Sequence, residues 1–267
     1  MSGARAINRR NVMGLRRSVR LLQAFRHEAT DPENFGTVMA EDTVQLVSDY
    51  CSLEGSTVVD VGGGSGYVAE AFGNVGARSF TVEYDPVEMN LGRHAFTGGV
   101  RGDGRMLPIG SGKIDLCFSS NVIEHVDGPT LMLAEMIRVV RPGGLVYVAF
   151  TNWLSPWGGH ETSPWHYLGG DFAARRYTRK YGKAPKNYFG RNLFPLSIGS
   201  VLDWAKSNGE VEVIAAFPRY YPRWTIGLIR LPGVREVLAW NLALVMRKRE
   251  VSPSVNSACS GPPEVGS

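Results

Sequence analysis

The sequence predicts an α/β fold: a doubly wound, mostly parallel sheet with helices on both faces. Three observations carry that expectation. Short apolar runs of strand length alternate with helix-length segments from residue 57 to residue 150, the pattern of a parallel sheet built from strand–helix–strand units. The first run, 57–61, opens into Gly62, Gly63, Gly64 and Gly66 and then a helix, so the backbone there can approach a ligand closely. The chain has 267 residues, 43% hydrophobic and 20% charged, enough to bury the core of one larger α/β domain.

Taken in order, residues 1–50 read as an N-terminal helical cap. Val12, Leu15, Val19 and Leu22 fall on one face of a helix. Residues 1–27 also hold seven arginines and no acid. A basic amphipathic helix of this kind lies on an anionic membrane or packs against its own domain. Asp31, Pro32 and Glu33 supply the N-cap and first turn of a second helix reaching about Tyr50. Residues 51–150 form the core. Strands are expected at 57–61, 79–84, 114–120 and 145–150, with helices through about 74, at 86–95 and at 129–140, and a turn at Arg141-Pro142-Gly143-Gly144. Residues 151–195 break the rhythm with tryptophans, glycines, histidines and prolines. An insertion that long in a compact domain is commonly a lid or substrate loop. Residues 196–249 return to the sheet through a helix at 197–207, a strand at 211–217 and a last strand at 239–246. The Pro/Ser/Gly-rich residues 250–267 read as a disordered tail.

Composition excludes a disordered chain, a collagen-like repeat and a disulfide scaffold. Cys51, Cys117 and Cys259 stand at unrelated spacings, giving neither a disulfide framework nor a zinc pattern, as expected of a cytoplasmic protein in a reducing compartment. The longest apolar candidate, 238–246, is far shorter than the ~18 residues a membrane helix needs, and it carries Asn241. No continuous apolar run follows the N-terminal charges, which disfavours a secretory signal, while an arginine-rich, acid-poor start also suits an organelle transit peptide. The net charge of +4 is unevenly placed. Residues 171–191 hold seven basic groups against Asp171 alone, and outside this segment and 1–27 the chain is net acidic. Both basic segments are candidates for peripheral membrane contact.

The stretch from Val58 to Tyr67 is Val-Val-Asp-Val-Gly-Gly-Gly-Ser-Gly-Tyr. Gly64-x-Gly66-x-x-Ala69 would also pass as a dinucleotide fingerprint. Asp60 argues against that reading, because its charge would face a pyrophosphate; it suits a cationic ligand better. Further along come Glu83 at a strand end, Gly102-Asp103-Gly104 with Leu107-Pro108, the segment from Phe118 to His125, and Arg141-Pro-Gly-Gly144. With these five motifs in this order, residues 57–150 resemble the class I S-adenosylmethionine-dependent methyltransferases, especially the small-molecule branch related to ubiquinone/menaquinone-biosynthesis enzymes.

The resemblance implies a Rossmann-like, seven-stranded sheet with its last strand antiparallel, and S-adenosyl-L-methionine as cofactor. Asp60 would meet the cofactor's ammonium directly or through water, and Gly62, Gly64 and Gly66 would form its cradle. Glu83 has two oxygens placed to take both ribose hydroxyls. Tyr84 would pack against adenine and Asp103 would accept from its amino group. Gly104 replaces the alanine common there, at small expected cost because both are small. Ser119, Asn121 and the backbone near Val122 would line the methionine end.

Methyl transfer asks the protein mainly for orientation and desolvation, and sometimes for a base. The candidate bases are His125 after the fourth strand and His160 and His166 in the insertion, set against a purely structural role for each. Trp153, Trp157 and Trp165 would wall an acceptor pocket or fill the insertion's own core. His160 and His166 lack the spacing of a helical metal pair, and no metal is expected. Tyr177, Tyr181, Tyr188 and Phe189 interleave the 171–191 charges; this suits an anionic acceptor or surface, and nucleic acid is disfavoured because no RNA-binding module accompanies it. Arg219 and Tyr220 edge the same pocket or belong to an aromatic loop. The expected function is methylation of a small-molecule or lipid-like acceptor at oxygen or carbon. The alternatives are a membrane-surface or partner-binding protein that keeps the fold without turnover and, more weakly, a nicotinamide dehydrogenase.

Overall fold

The computed structural model describes residues 13–28, 30–90 and 98–250. Its elements are α1 (Leu15–Arg26), α2 (Pro32–Ser48), β1 (Thr57–Val61), α3 (Tyr67–Asn74), β2 (Arg78–Glu83), α4 (Pro86–Asn90), β3 (Gly99–Arg101), β4 (Ile114–Ser120), α5 (Pro129–Val139), β5 (Val140–Thr151), α6 (Gly170–Tyr181), α7 (Ile198–Ser207), β6 (Val211–Pro218), α8 (Val234–Leu238) and β7 (Asn241–Lys248). Helix starts follow local chemistry. Asp31 caps α2 by accepting from the Asn34 N–H at 3.2 Å, and Ser197 caps α7 by accepting from the Ser200 N–H at 3.0 Å.

The seven strands run in the order β3-β2-β1-β4-β5-β7-β6. Pairings from β3 to β5 are parallel, and β7 lies antiparallel between β5 and the edge strand β6. Side chains alternate across this sheet as strand geometry requires. Leu116, Phe118, Leu145, Tyr147, Ala243 and Val245 pack on one face with Leu46 and Val47 of α2 and Phe72 of α3. Cys117, Val146, Val148, Leu242 and Leu244 pack on the other with Met132, Leu133 and Met136 of α5 and Val201 and Leu202 of α7. Burial of each such large side chain contributes about 1.5–3 kcal/mol. Two buried faces explain why the strands read as continuous apolar runs.

Four features differ from the sequence expectations. Leu15, Val19 and Leu22 of α1 are exposed, and the helix instead buries Leu21 and Ala24, with Arg17 held against Asp42 by a bidentate pair at 2.5 and 2.7 Å. Tertiary partners, not apolar spacing, chose the buried face. The edge strand β3 is three residues long with Val100 exposed, too short and wet to leave a pattern. Within the insertion, α6 forms a regular helix that buries only small residues, Gly170, Ala173 and Ala174. Residues 141–144 bulge within β5, since Ile114 pairs with Val140 and Leu116 with Leu145. Of the remaining expectations, Arg5, Arg9, Arg10, Val12, Cys259, the end of the 86–95 helix and the tail beyond Glu250 lie outside the described residues. Among the described residues no helix is long and apolar enough to cross a membrane.

Candidate active site

Strand order reverses at β1, with β2 on one side and β4 on the other. The crevice at the carboxyl ends of such strands is where doubly wound sheets bind ligands. The glycine turn sits there. Gly62 has φ +75°, and a side chain on it would overlap Val122. A Cβ on Gly63 would overlap the Asp60 carboxylate and the Thr81 hydroxyl. Gly66 at φ +87° starts α3. Asp60 therefore lies beneath the turn, 2% exposed, with its Oδ2 and the Thr81 Oγ1 lacking hydrogen-bond partners among the described residues. Burial, then the neighbouring Glu83 carboxylate, push Asp60 up to about 7, against the pull of Arg219.

Glu83 ends β2 at the mouth of the turn. Its Oε2 accepts from the Gly64 N–H and its Oε1 from the Asp85 N–H, both at 3.0 Å. Tyr84 next to it is 67% exposed. Asp103 accepts from the Arg105 guanidinium at 2.7 Å, a bond that holds its carboxyl below the usual range. Gly104 is more tightly placed than its size suggests, since a Cβ there would come within 3.1 Å of Met132 Sδ and 3.2 Å of Val61 Cγ1. Ser119 does not line an open pocket. It is fully buried, and its hydroxyl donates to the Val61 carbonyl at 2.8 Å, tying β4 to β1. Asn121 follows β4 in the left-handed region, φ +57°; its Nδ2 donates to Tyr220 Oη at 3.2 Å and its Oδ1 accepts from Asn241 Nδ2 at 2.7 Å.

That network leads to a group whose role the sequence left open. Arg219 is 2% exposed behind Asn121; it donates to Ser120 Oγ and, at 2.7 Å, to Thr43 Oγ1, while its carbonyl accepts from Arg17 at 2.9 Å. Burial alone would lower its pKa, but Tyr220, Tyr147, Asp42 and Asp60 together raise it, so it stays charged. Above it Phe25, Tyr220, Trp240 and Trp157 form an aromatic cluster. Phe25 lies 4.9 Å from Tyr220 and 4.8 Å from Trp240, and Trp157 stacks on Trp240 at 4.4 Å. The cap, the insertion and the β7 entrance thus meet over the strand ends. Lys186 reaches across to Glu88 on α4 at 3.0 Å, carrying the insertion to the edge beside Glu83.

The three candidate histidines separate. His125 and His160 lie with ring centroids 5.0 Å apart. The His125 Nδ1 faces the Asn192 carbonyl at 2.7 Å and the His160 Nδ1 the Gly158 carbonyl at 3.3 Å. Burial, then the His125 ring, lower His160 to about 4, so it is neutral at pH 7. His166 is no base. It is 1% exposed, its Nε2 faces the Ser155 carbonyl at 3.1 Å, and it is packed between Trp153 and Tyr167. Trp153 likewise fills the insertion's own core against Phe189, and Trp165 carries the Arg176 guanidinium 3.9 Å above its ring. Only Trp157 of the three tryptophans joins the aromatic cluster. A depression of about 370 Å³ lined by Cys51, Asp115, Arg141 and Arg247 lies at the opposite end of the strands and has no part in this site.

The methyltransferase domain family matches residues 59–148. A Mycolicibacterium gilvum protein named uncharacterized methyltransferase is 50% identical over 243 residues, spanning 87% of this chain and 94% of that protein. A Mycobacteroides abscessus protein of the same description is 47% identical over 248 residues, 88% and 95% of the two chains. This chain belongs to the S-adenosylmethionine-dependent methyltransferases. Solved structures agree on the fold. A methyltransferase of this class from Mesorhizobium loti superposes with a TM-score of 0.54 at 16% identity, over 78% of this chain and 98% of that one. A TehB-like one from Corynebacterium glutamicum gives 0.53 at 17%, over 87% and 98%.

The residues present fit the methyltransferase cofactor. The turn's glycines leave room for it, the orphaned Asp60 oxygen and the Glu83 carboxylate supply negative charge for a cation, and exposed Tyr84 offers a flat face at the rim. One consequence is measurable. With its pKa raised from 3.8 to about 7, Asp60 in the native chain keeps a proton that the unfolded chain has lost; its contribution to stability therefore falls as pH rises through that window. A cationic ligand favours the charged carboxylate. Binding of S-adenosylmethionine near pH ~6.5 is thus expected to release protons. Calorimetry in buffers of different ionisation enthalpy reads this directly, and an enthalpy independent of buffer, or unchanged dependence in Asp60→Asn, refutes it.

Proposed function

We propose that this methyltransferase acts on a small, lipid-like acceptor, transferring the methyl group to a hydroxyl oxygen. The observation that carries this reading is the His125–His160 pair beside a roof of Trp157, Trp240, Tyr220 and Phe25 at the carboxyl end of the sheet. Bound S-adenosylmethionine supplies an electrophilic methyl carbon on sulfonium. The chain's own residues do the rest. The glycine turn and Glu83 hold one end of the crevice, Asn121 ties the end of β4 to the roof through Tyr220 and to β7 through Asn241, and the aromatic roof excludes water and receives apolar acceptor surface. The acceptor hydroxyl gives up its proton at the histidine pair as its oxygen takes the methyl group. His125→Ala and His160→Ala are each expected to lower turnover at least 10-fold while cofactor affinity stays within about 3-fold. Wild-type turnover in both variants would show that orientation alone suffices.

An acceptor held in a lipid surface is supported by the exposed side of α1. Leu15, Val19 and Leu22 share that face with Arg26 and are bordered by Arg16, while Arg20 lies further round the helix and pairs with Glu41. The Arg223 N–H donates to the Met13 carbonyl at 2.8 Å, placing Trp224, 81% exposed, at the start of the same helix. Apolar groups ringed by arginines are the side-chain set of an interfacial helix on anionic lipid. The protein is expected to co-sediment with phosphatidylglycerol vesicles and to be released by salt, with Leu15→Asp/Trp224→Asp reducing the bound fraction several-fold. Equal partition of the double variant and wild type sinks the membrane reading.

A further inference from the structure

The segment after β4 and the insertion bring three metal-binding side chains together that no sequence spacing connects. Glu124, His125 and His160 each offer one ligand atom, all within 4.8 Å of one another. Glu124 is 1% exposed. Its Oε1 accepts from the Thr151 N–H at 3.0 Å, but its Oε2 is buried with no hydrogen-bond partner among the described residues. An orphaned carboxylate oxygen is costly in a folded interior and calls for a partner. Both imidazoles have their Nδ1 against backbone carbonyls, those of Asn192 and Gly158. Nδ1–H donation to a carbonyl leaves Nε2 with its lone pair, the tautomer that ligates metals and the second-sphere support that orients such ligands.

We propose that Glu124, His125 and His160 form a binding site for a divalent transition-metal ion of the zinc or cobalt kind, open on the acceptor side. Two imidazoles and one carboxylate are the donor set of an open catalytic site, and nitrogen donors select transition metals over calcium or magnesium. A tetrahedral ion needs ligand atoms about 3.3 Å apart, so a bound ion would draw the three groups in from their present spread of up to 4.8 Å. The dication would then balance the charge of the buried carboxylate inside the protein. The inference rests on the acceptor reading above only for its role: with an ion bound, both Nε2 lone pairs are spent on it, so a hydroxyl at the open position gives its proton to water beside the dication in place of the histidine pair.

Cobalt(II) chloride added to the full-length, metal-stripped protein, without cofactor or acceptor, is expected to give visible d–d absorption saturating near one equivalent. Zinc should abolish it by competition. His125→Ala, His160→Ala and Glu124→Gln should each weaken cobalt affinity at least 10-fold, whereas His27→Ala, on the exposed end of the cap, should not. Circular dichroism checks that each variant is folded; if Glu124→Gln fails, the surface-near His125→Ala carries the test. Absence of a saturating band in the wild type, or equal affinity in folded histidine variants, overturns the site. S-adenosylmethionine calorimetry on the same samples separates the two readings, since a protein that binds cofactor but no cobalt keeps its methyltransferase function and loses this metal.

Discussion

Replacing Arg219 by alanine is expected to cost the fold about 3–5 kcal/mol. The side chain is buried behind the strand ends, where it bonds Ser120 and Thr43 and sits among the charges of Asp42 and Asp60. Removing it leaves a side-chain-sized void, takes the donors from the Ser120 and Thr43 hydroxyls and takes the nearby cation from buried Asp60, while Asp42 keeps its pair with Arg17. Arg17 does not compensate, because its guanidinium is already committed to both Asp42 oxygens and the Arg219 carbonyl. Lysine should recover less than half the loss, since a point charge cannot serve two hydroxyls in a planar fork. Urea midpoints at constant slope measure the difference. A loss under ~1 kcal/mol would mean that the buried cation is not what holds cap, β4 and β6 in register.

Glu83→Ala is expected to weaken S-adenosylmethionine binding by about 10–100-fold, or ~1–3 kcal/mol, for two lost hydrogen bonds to a charged acceptor. The carboxylate has a second task, accepting from Gly64 and Asp85 and so fixing the turn and the β2 exit. Glu83→Gln separates the two. It keeps one acceptor oxygen for the turn but lacks the charge, so its affinity should fall between those of wild type and alanine. Calorimetric affinities equal in all three proteins would remove Glu83 from the cofactor site.

The order of elements was legible because burial on both sheet faces writes itself into composition. Strands β1, β4 and β5 are apolar runs since Val58 and Val59, or Tyr147 and Val148, face opposite helical layers and both must be dry. The glycine turn was legible because steric exclusion at Gly62 and Gly63 leaves no other residue. Strand β3 was not, since an exposed three-residue edge has nothing to bury. Which face of α1 turns inward was not legible for a related reason. Leu15, Val19 and Leu22 obey helical spacing, yet Arg17 had to turn inward to pair with Asp42, and a guanidinium pinned in the interior fixes the rotation of its whole helix.

Among the histidines, pattern alone put three in contention, and only position in space divided them. His166 lies in the same insertion as His160 yet is locked into a packed core against Trp153, while His160 turns toward His125 from the far side of the crevice. Sequence by itself determined the layered α/β core and the glycine turn, because each follows from local sterics and from alternation that every strand repeats, and its motifs carried the resemblance to the family. Tertiary structure alone decided what stands over the carboxyl ends of the strands: the Arg219–Asn121–Tyr220 network, the aromatic cluster built from cap, insertion and β7, and the Glu124–His125–His160 cluster. Those contacts join segments far apart in the chain, and their geometry is set by how the insertion crosses the ends of the sheet, which no local pattern encodes.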